Sequence, residues 1–429
     1  MCRGQNAVNS SCIGIYPHLH SLLSHNLGRE GGDMKVTVAR MSIALRTNFF
    51  FLGVLVGGWS TRIPEVKTAL KLNDATLGRS LMGATVGILI SSQIIGYLMR
   101  EFGPKKTFYL GAVVFPIGYL CIAFAPNAYF IFLGITLFCL AYTFLDNPMT
   151  MITQDLEKIA DRKFLSGFHA YWCMGTLVAA FFGSFLIGHV PYPIHLSCLA
   201  LLSFTVLVIS GRTLEAQERG GAKSEKIDFP WFGKRTGIIW AIGFGMLCSN
   251  SAEFGATDWS ALFLRDVLAI TGQFYVGAYM AFEIGMITSR LSGDKYIHRY
   301  GPEKVIRLCG YVGSVMWLAT MVLGVEISHS NKALAYVVIL LGYLIAGLGV
   351  GPIYPALITV VGRLEGVETS VAFARCGLIA LVGFAVVPGL IGFISDLSSL
   401  NIAMLLPITL LGVAGYMSRV ARRTNVVVQ

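Results

Sequence analysis

FGPKKTFYLG (102–111) returns 198 residues later as YGPEKVIRLC (300–309). Each copy sets an aromatic residue, Gly, Pro and a basic residue ahead of a long apolar run. Gly permits a left-handed backbone just past a helix end, and Pro then prevents the helix from continuing. The Lys and Glu-Lys that follow stay in the aqueous layer, so each copy reads as a short, stiff elbow between two apolar helices. A second pair of landmarks, Trp59-Ser60 and Trp259-Ser260, precedes the elbows in the same order at an offset of 200. Two landmarks at nearly one offset make the chain a duplication, with halves at 34–211 and 236–420. The segment 212–235 between them is charged and contains Gly, as expected of an exposed linker.

Hydrophobic residues make up 55% of the 429 positions and charged residues only 13%, well under the quarter or so of charged residues usual in soluble domains. Stretches without Asp, Glu, Lys or Arg run over 107–145, 164–211, 236–252, 308–325, 333–362 and 376–395. A helix needs about 20 mainly apolar residues to cross a bilayer's hydrocarbon, so the two longest stretches each hold two spans. Pro126-Asn127 and Pro191-Tyr192-Pro193 divide them as hairpins. Adding spans interrupted by one or two charges gives twelve, at about 42–62, 79–99, 107–125, 129–152, 165–188, 194–211, 236–257, 271–291, 304–325, 333–356, 370–392 and 400–420. The runs are continuously apolar, unlike the alternating strands of a membrane barrel, and only helices satisfy their own backbone in hydrocarbon. The fold class expected is therefore an all-α membrane protein, with twelve transmembrane helices in two pseudo-symmetric six-helix bundles.

Lys and Arg concentrate in the loops after even-numbered spans and in the tail 421–429, which places both termini in the cytoplasm. The formal charge of +10 is then a topology signal, and no basic cluster is interleaved with exposed aromatics as nucleic-acid binding requires. The nine cysteines form no C-x-x-C and are odd in number, which points to packing residues, with no disulfide framework or metal site. Residues 1–33 are polar and irregular, without the apolar core of a signal peptide. Glu30-Gly31-Gly32-Asp33-Met34 fits a purine-rich ribosome-binding sequence ahead of a start codon, so 1–33 is expected to be a non-native or disordered extension and Met34 the start.

Six plus six spans in parallel halves is the arrangement of a major facilitator superfamily transporter, and local residues resemble that family. GYLMREFGPKK (96–106) is similar to its cytoplasmic loop motif, with Gly96, Phe102, Gly103 and Lys105 matching. Arg100 and Glu101 stand where the family has Asp then Arg, so the ion pair that gates the cytoplasmic side is reversed or lost here. RLSGDKYIHRYGPEK (290–304) keeps Arg290, Gly293, Asp294, Arg299 and Gly301. It resembles bacterial inner-membrane permeases near the fucose–proton symporter group, as do WSTRIPEVKTAL (59–70), FHAYWCMGTL (168–177), AEFGATDWSALFLRD (252–266) and GLGVGPIYP (347–355). The resemblance implies alternating access by rocking of the halves about a midplane site; it does not fix the cargo.

Ionisable groups inside spans cost about 2.5–3.5 kcal/mol even on lenient insertion scales, so they are expected to face a wet cavity. Asp146 is followed by Asn147 and Pro148, and a Pro there opens the helix around the carboxylate; the resemblance implies an acid on this span as a proton site. Glu283, halfway along its span among apolar neighbours, has the setting of a proton-coupling carboxyl. Glu253 and Asp258 lie about 500° apart on one helix and are not expected to share a face; Glu253 is the cavity candidate and Asp258, beside Trp259, a cap or gate of the outer mouth. Arg375 and Arg46 are read as attracting an anionic cargo, neutralising acids or snorkelling to headgroups, and His169 as a proton relay or a backbone-bonded residue. Arg62 and Glu65 flank Pro64 just after the first span, as an external gate or interfacial anchors. Gly347, Gly349 and Gly351 with Pro352 and Pro355 make one span flexible and kinked.

The function expected is secondary active transport of a small polar solute across the inner membrane, most simply proton-coupled symport of a sugar-like metabolite. Efflux by proton antiport and a non-transporting receptor of the same fold stand as alternatives. No G-x-x-x-x-G-K-[ST] loop is present for nucleotide, and no clustered nucleophile or metal set suggests an enzyme. A proton gradient is the expected driving force, no cofactor is called for, and the partners are the lipid bilayer and the cargo, with a monomer expected and no nucleic acid.

Overall fold

The computed structural model describes residues 32–160, 164–214, 236–364 and 369–420. The expectations for 1–31, for most of the linker and for the tail 421–429 fall outside these residues. Among the described residues every element is helical and no strand occurs. The chain runs through α1 (Gly32–Ala69), α2 (Asp74–Leu81), α3 (Gly83–Glu101), α4 (Gly103–Ala123), α5 (Ala128–Ala160), α6 (Leu165–Phe185) and α7 (Tyr192–Gly211). After the linker come α8 (Thr236–Leu262), α9 (Gly277–Tyr300), α10 (Pro302–Ser328), α11 (Lys332–Val350), α12 (Ile353–Val361), α13 (Thr369–Leu397), α14 (Leu400–Ala403) and α15 (Leu405–Tyr416).

Nine stretches among the described residues are long and apolar enough to cross a membrane. The protein is inside out relative to a soluble one. Leu110, Val113, Ile117 and Leu120 form a stripe at helical spacing on α4, and each is 40% exposed or more. Contiguous exposed apolar surface of this kind belongs against lipid. Helices α6, α8 and α9, of 21, 27 and 24 residues, carry the polar residues described below. Between helices the contacts are small. A Cβ added at Gly347 of α11 would run into the carbonyl of Phe282 on α9, and one at Gly53 of α1 into the carbonyl of Trp172 on α6. Without a hydrophobic drive between helices in lipid, such close backbone approach supplies the packing.

Several boundaries differ from those expected. The first span does not end at 62: α1 continues through Pro64 to Ala69. Pro removes one backbone donor, and the turn is held by other means. Thr68 Oγ1 donates to the Pro64 carbonyl at 3.0 Å, and Arg265 also donates to that oxygen. The second span begins earlier, with Asn73 capping α2 through a 3.0 Å bond from the Thr76 N–H, and it breaks at Met82. α8 extends past 257 and runs into a π-helical turn, Phe263–Val267. The glycine-rich span keeps its helix through Gly347 and Gly349 and breaks only at Gly351-Pro352, with Pro355 in the first turn of α12, where Pro is tolerated.

Both elbows have the geometry their sequences require. Gly103 has φ +78° and Gly301 has φ +79°, with Pro104 and Pro302 each in the first turn of the helix that follows. Lys105 Nζ donates to the Arg212 carbonyl at 3.1 Å, so the first elbow sits beside the end of α7. Counting helices from there, α8 rises from this elbow end and α9 returns to it at Tyr300. The far ends of α1, α2, α8 and α13 meet at the opposite pole.

Candidate cavity and the seal above it

At that opposite pole charged groups from both halves of the chain interlock. Lys67 of α1 pairs with Asp74 and, at 2.8 Å, with Asp266 beyond α8. Arg265 Nε donates to Asp266 at 2.6 Å, and its NH1 donates to Thr68 Oγ1 at 2.9 Å. Asp74 accepts from Ser395 Oγ, and its backbone N–H donates to Asp396 at 2.9 Å. Beneath these bonds α2 crosses α13 on glycine: a Cβ at Gly78 would stand 2.6 Å from the Pro388 carbonyl oxygen.

Arg62 belongs to this seal as an interior residue, which corrects its placement after the span. It is fully buried; its Nε donates to His195 Nδ1 at 2.9 Å and NH1 pairs with Glu65. The helix that persists through Pro64 carries it inward. His195 was not singled out from the sequence, because nothing local to it signals a partner 133 residues away.

Below the seal lies a cavity of about 340 Å³. Trp59 and Ser60 of α1, Cys139 and Tyr142 of α5, and His169 and Trp172 of α6 line one side. Glu253, Thr257 and Asp258 of α8 and Tyr279, Glu283 and Arg290 of α9 line the other. Arg290 NH2 donates to both oxygens of Glu253 at 3.2 Å, and NH1 lies 3.8 Å from the Cys173 sulfur. Glu283, 2% exposed, accepts from Thr176 Oγ1 at 3.3 Å, so a carboxyl of one half rests on a hydroxyl of the other. His169 faces the cavity with its ring edge-on to Phe49 at 5.0 Å.

Glu253 and Asp258 do not share a face of α8, as expected, yet both line this cavity. Five helical steps leave them about 140° apart around the axis, and the cavity wraps far enough round α8 to reach both. Asp258 is thus a wall residue instead of a cap at the mouth. Trp259 is fully buried, with its indole N–H lacking a hydrogen-bond partner among the described residues.

The remaining candidates lie elsewhere. Asp146 is one turn beyond Tyr142, outside the lining, with Oδ1 buried and without a hydrogen bond. Arg46 lies 5.9 Å from the Phe168 ring centre and 5.7 Å from that of Tyr171, and Arg375 is buried on α13, also outside the lining. Arg100 and Glu101 are exposed at the elbow end. Arg299 is exposed there too, 5.3 Å over the Tyr300 ring. Asp294 belongs to α9, and its side chain falls outside the described residues.

Arg290 is the cavity residue that sequence reading assigned to the wrong role, as part of a loop motif. It lies seven positions after Glu283, two turns along one face of a helix, and that spacing was the available signal. Tyr279, four positions before Glu283, carries the same one.

The Major Facilitator Superfamily family model matches residues 47–364, and the chain belongs to this family of membrane transporters. It is 27% identical over 366 residues to an uncharacterised MFS-type transporter of Yersinia pestis, covering 84% of this chain and 90% of that one. It is 27% identical over 392 residues to a glucose/galactose transporter of Brucella abortus, covering 84% and 89% respectively. Among solved structures it resembles a bacterial homologue of the human lysosomal transporter Spinster, inward-facing and unoccupied, with a TM-score of 0.68, 14% identity, and coverage of 92% of this chain and 98% of that one. The protein is therefore a multi-pass membrane transporter of the same fold.

Proposed function

We propose that the chain is a twelve-span secondary transporter driven by protons, in which the halves 34–211 and 236–420 rock about the central cavity and move a small organic solute. The observation that carries this reading is the pairing of one cavity, walled by both halves, with a seal of cross-half ion pairs at one pole. Secondary transporters of this family type place cargo and coupling ions at the interface of their repeats. Glu283 is the first coupling site, with Glu253 and its partner Arg290 as the charge-compensating pair and Asp146 as a second proton position nearer the elbow end. His169 passes protons between the cavity and that end, and Arg46 and Arg375 set the potential along the way. With both termini cytoplasmic in an inner membrane, the elbow end faces the cytoplasm and the described state is inward-facing. A monomer suffices, because both walls of the cavity come from one chain.

Sugar-like cargo has the support of the Brucella relative's name. A second reading, efflux by exchange for protons, is favoured by the cavity's surplus of carboxyls over cations. Proteoliposomes with an imposed pH gradient separate the two by direction of flux. In the same vesicles Glu283→Gln is expected to abolish accumulation against a gradient. Accumulation that survives both Glu283→Gln and Asp146→Asn would sink the coupling assignment.

A further inference from the structure

We propose that the cargo is a small organic cation, a protonated amine or quaternary ammonium on an aromatic or otherwise apolar body, held between Asp258 and Glu283. The proposal rests on the transporter reading above and deepens it.

The charges on the cavity wall do not balance. Three carboxyls face it, from Glu253, Asp258 and Glu283, and one guanidinium, from Arg290. Arg290 is committed: both oxygens of Glu253 take hydrogen bonds from its NH2, which makes that pair neutral. Glu283 has Thr176 beside it, a hydroxyl that adds no charge. Asp258 receives no hydrogen bond and no ion pair among the described residues. One guanidinium against three carboxyls leaves two carboxyls without a cation of their own.

Carboxylates left without a counter-charge in a largely apolar hollow are costly. A cationic cargo removes that cost, and an anionic one compounds it. A neutral polyol leaves that charge uncompensated, and here all three carboxyls gather on α8 and α9.

The facing wall supplies the second half of the site. Trp59, Tyr142 and Trp172, from α1, α5 and α6 of the other half, line the same cavity as the carboxyls. Aromatic faces attract cations through their quadrupole and take up the apolar body of an amine at the same time. The volume, about 340 Å³, lies at the small end of ligand pockets and suits one ring with its ammonium group. A cation bound between an acidic wall from one half and an aromatic wall from the other touches both. It therefore favours whichever conformation brings the halves together.

The test is binding of benzyltrimethylammonium to the purified full chain, followed by calorimetry, with phenylacetate and glucose as the anionic and neutral comparisons. The cation is expected to bind while phenylacetate and glucose do not. Asp258→Asn is expected to weaken it at least tenfold, and the Asp258→Asn, Glu283→Gln pair to abolish it. A second measurement needs no variant: the cation is expected to slow alkylation of Cys139, which lines the same cavity as Asp258, as read by mass spectrometry. Absence of cation binding, binding indifferent to both substitutions, or binding of glucose that survives Asp258→Asn each overturns the proposal. Cation binding without flux in vesicles would leave this site standing and bring down the transporter reading instead.

Discussion

Alanine in place of Gly78 is expected to pry the sealed pole apart. In the closed arrangement the new Cβ would lie 2.6 Å from the Pro388 carbonyl oxygen, 3.2 Å from Gly389 Cα and 3.3 Å from Gly392 Cα. All three are backbone atoms of α13, so no rotamer change relieves the clash and the helices themselves must separate. Forcing an extra carbon into a packed contact costs about 1–3 kcal/mol. Alanine also gains roughly 1 kcal/mol of helix propensity over glycine, but α2 stays helical whether the pole is closed or open, and that gain cancels. The net shift toward the open arrangement is then about 5- to 150-fold. Electron–electron spin distances between labels at Lys71 and Ser398, both exposed at this pole, read it directly. Gly78→Ala is expected to add a longer-distance population. The control is Gly96→Ala, whose Cβ would meet nothing within 4 Å, and it is expected to add none. A folded Gly78→Ala protein with an unchanged distance distribution would refute the idea that this crossing holds the seal.

Three further outcomes follow from the same geometry. Arg290→Met leaves the Glu253 carboxylate without its partner. With Arg290 32% and Glu253 14% exposed, the loss should stay below the about 3–5 kcal/mol of a fully buried pair. A fall in melting temperature that Glu253→Gln restores in the double variant is expected, and failure of that restoration would count against the pair. At Asp266, burial pushes the carboxyl pKa up, but hydrogen bonds and charge from Arg265 and Lys67 outweigh it and hold it below the ordinary value. A depressed carboxylate stabilises its partners above its ordinary pKa and gives that up only as pH falls through the lowered value. Acidifying from pH 7 to 5 should therefore leave the Lys71–Ser398 distance unchanged, while Asp266→Asn lengthens it; lengthening at pH 5 in the unsubstituted chain would assign control of the seal to another group. Gly301 combines φ +79° with ψ 153°, a region nearly closed to other residues, and no neighbour lies within 4 Å of an added Cβ. Gly301→Ala is thus a pure backbone penalty of about 1–3 kcal/mol, visible as a lower melting temperature with cation binding at the cavity intact.

What the sequence disclosed, and what it withheld, divides along one physical line. Membrane residence, helical class and the elbows follow from local rules: run length against bilayer thickness, and the backbone freedom of Gly103 and Gly301. The ends of helices were less legible, because tertiary contacts override local breakers. Pro64 reads as a stop, yet Thr68 and Arg265 satisfy its carbonyl and the helix runs on. Partners were least legible of all. Glu283 announces itself as a lone acid in an apolar run, but its contact with Thr176 spans 107 positions, and the Arg62 bond to His195 spans 133.

The placing of Glu253 and Asp258 has the same character and bears on the cargo. A helical wheel assigns a residue to a direction, whereas a cavity between two half-bundles is a surface that curves round each helix it touches. Side chains 140° apart on α8 both reach it, so the wheel counts one acid in the cavity where the structure has two. That second carboxyl changes the balance from a compensated wall to an acidic one. On the proposal above, with Arg290 held by Glu253, the counter-charge for Asp258 and Glu283 arrives from outside the protein, as a proton or as the cargo itself. Whichever arrives must leave again for the cycle to proceed, and a site that alternates between the two exchanges one for the other. The count of carboxyls on two adjacent helices thus bears on the direction of transport as well as on what is carried.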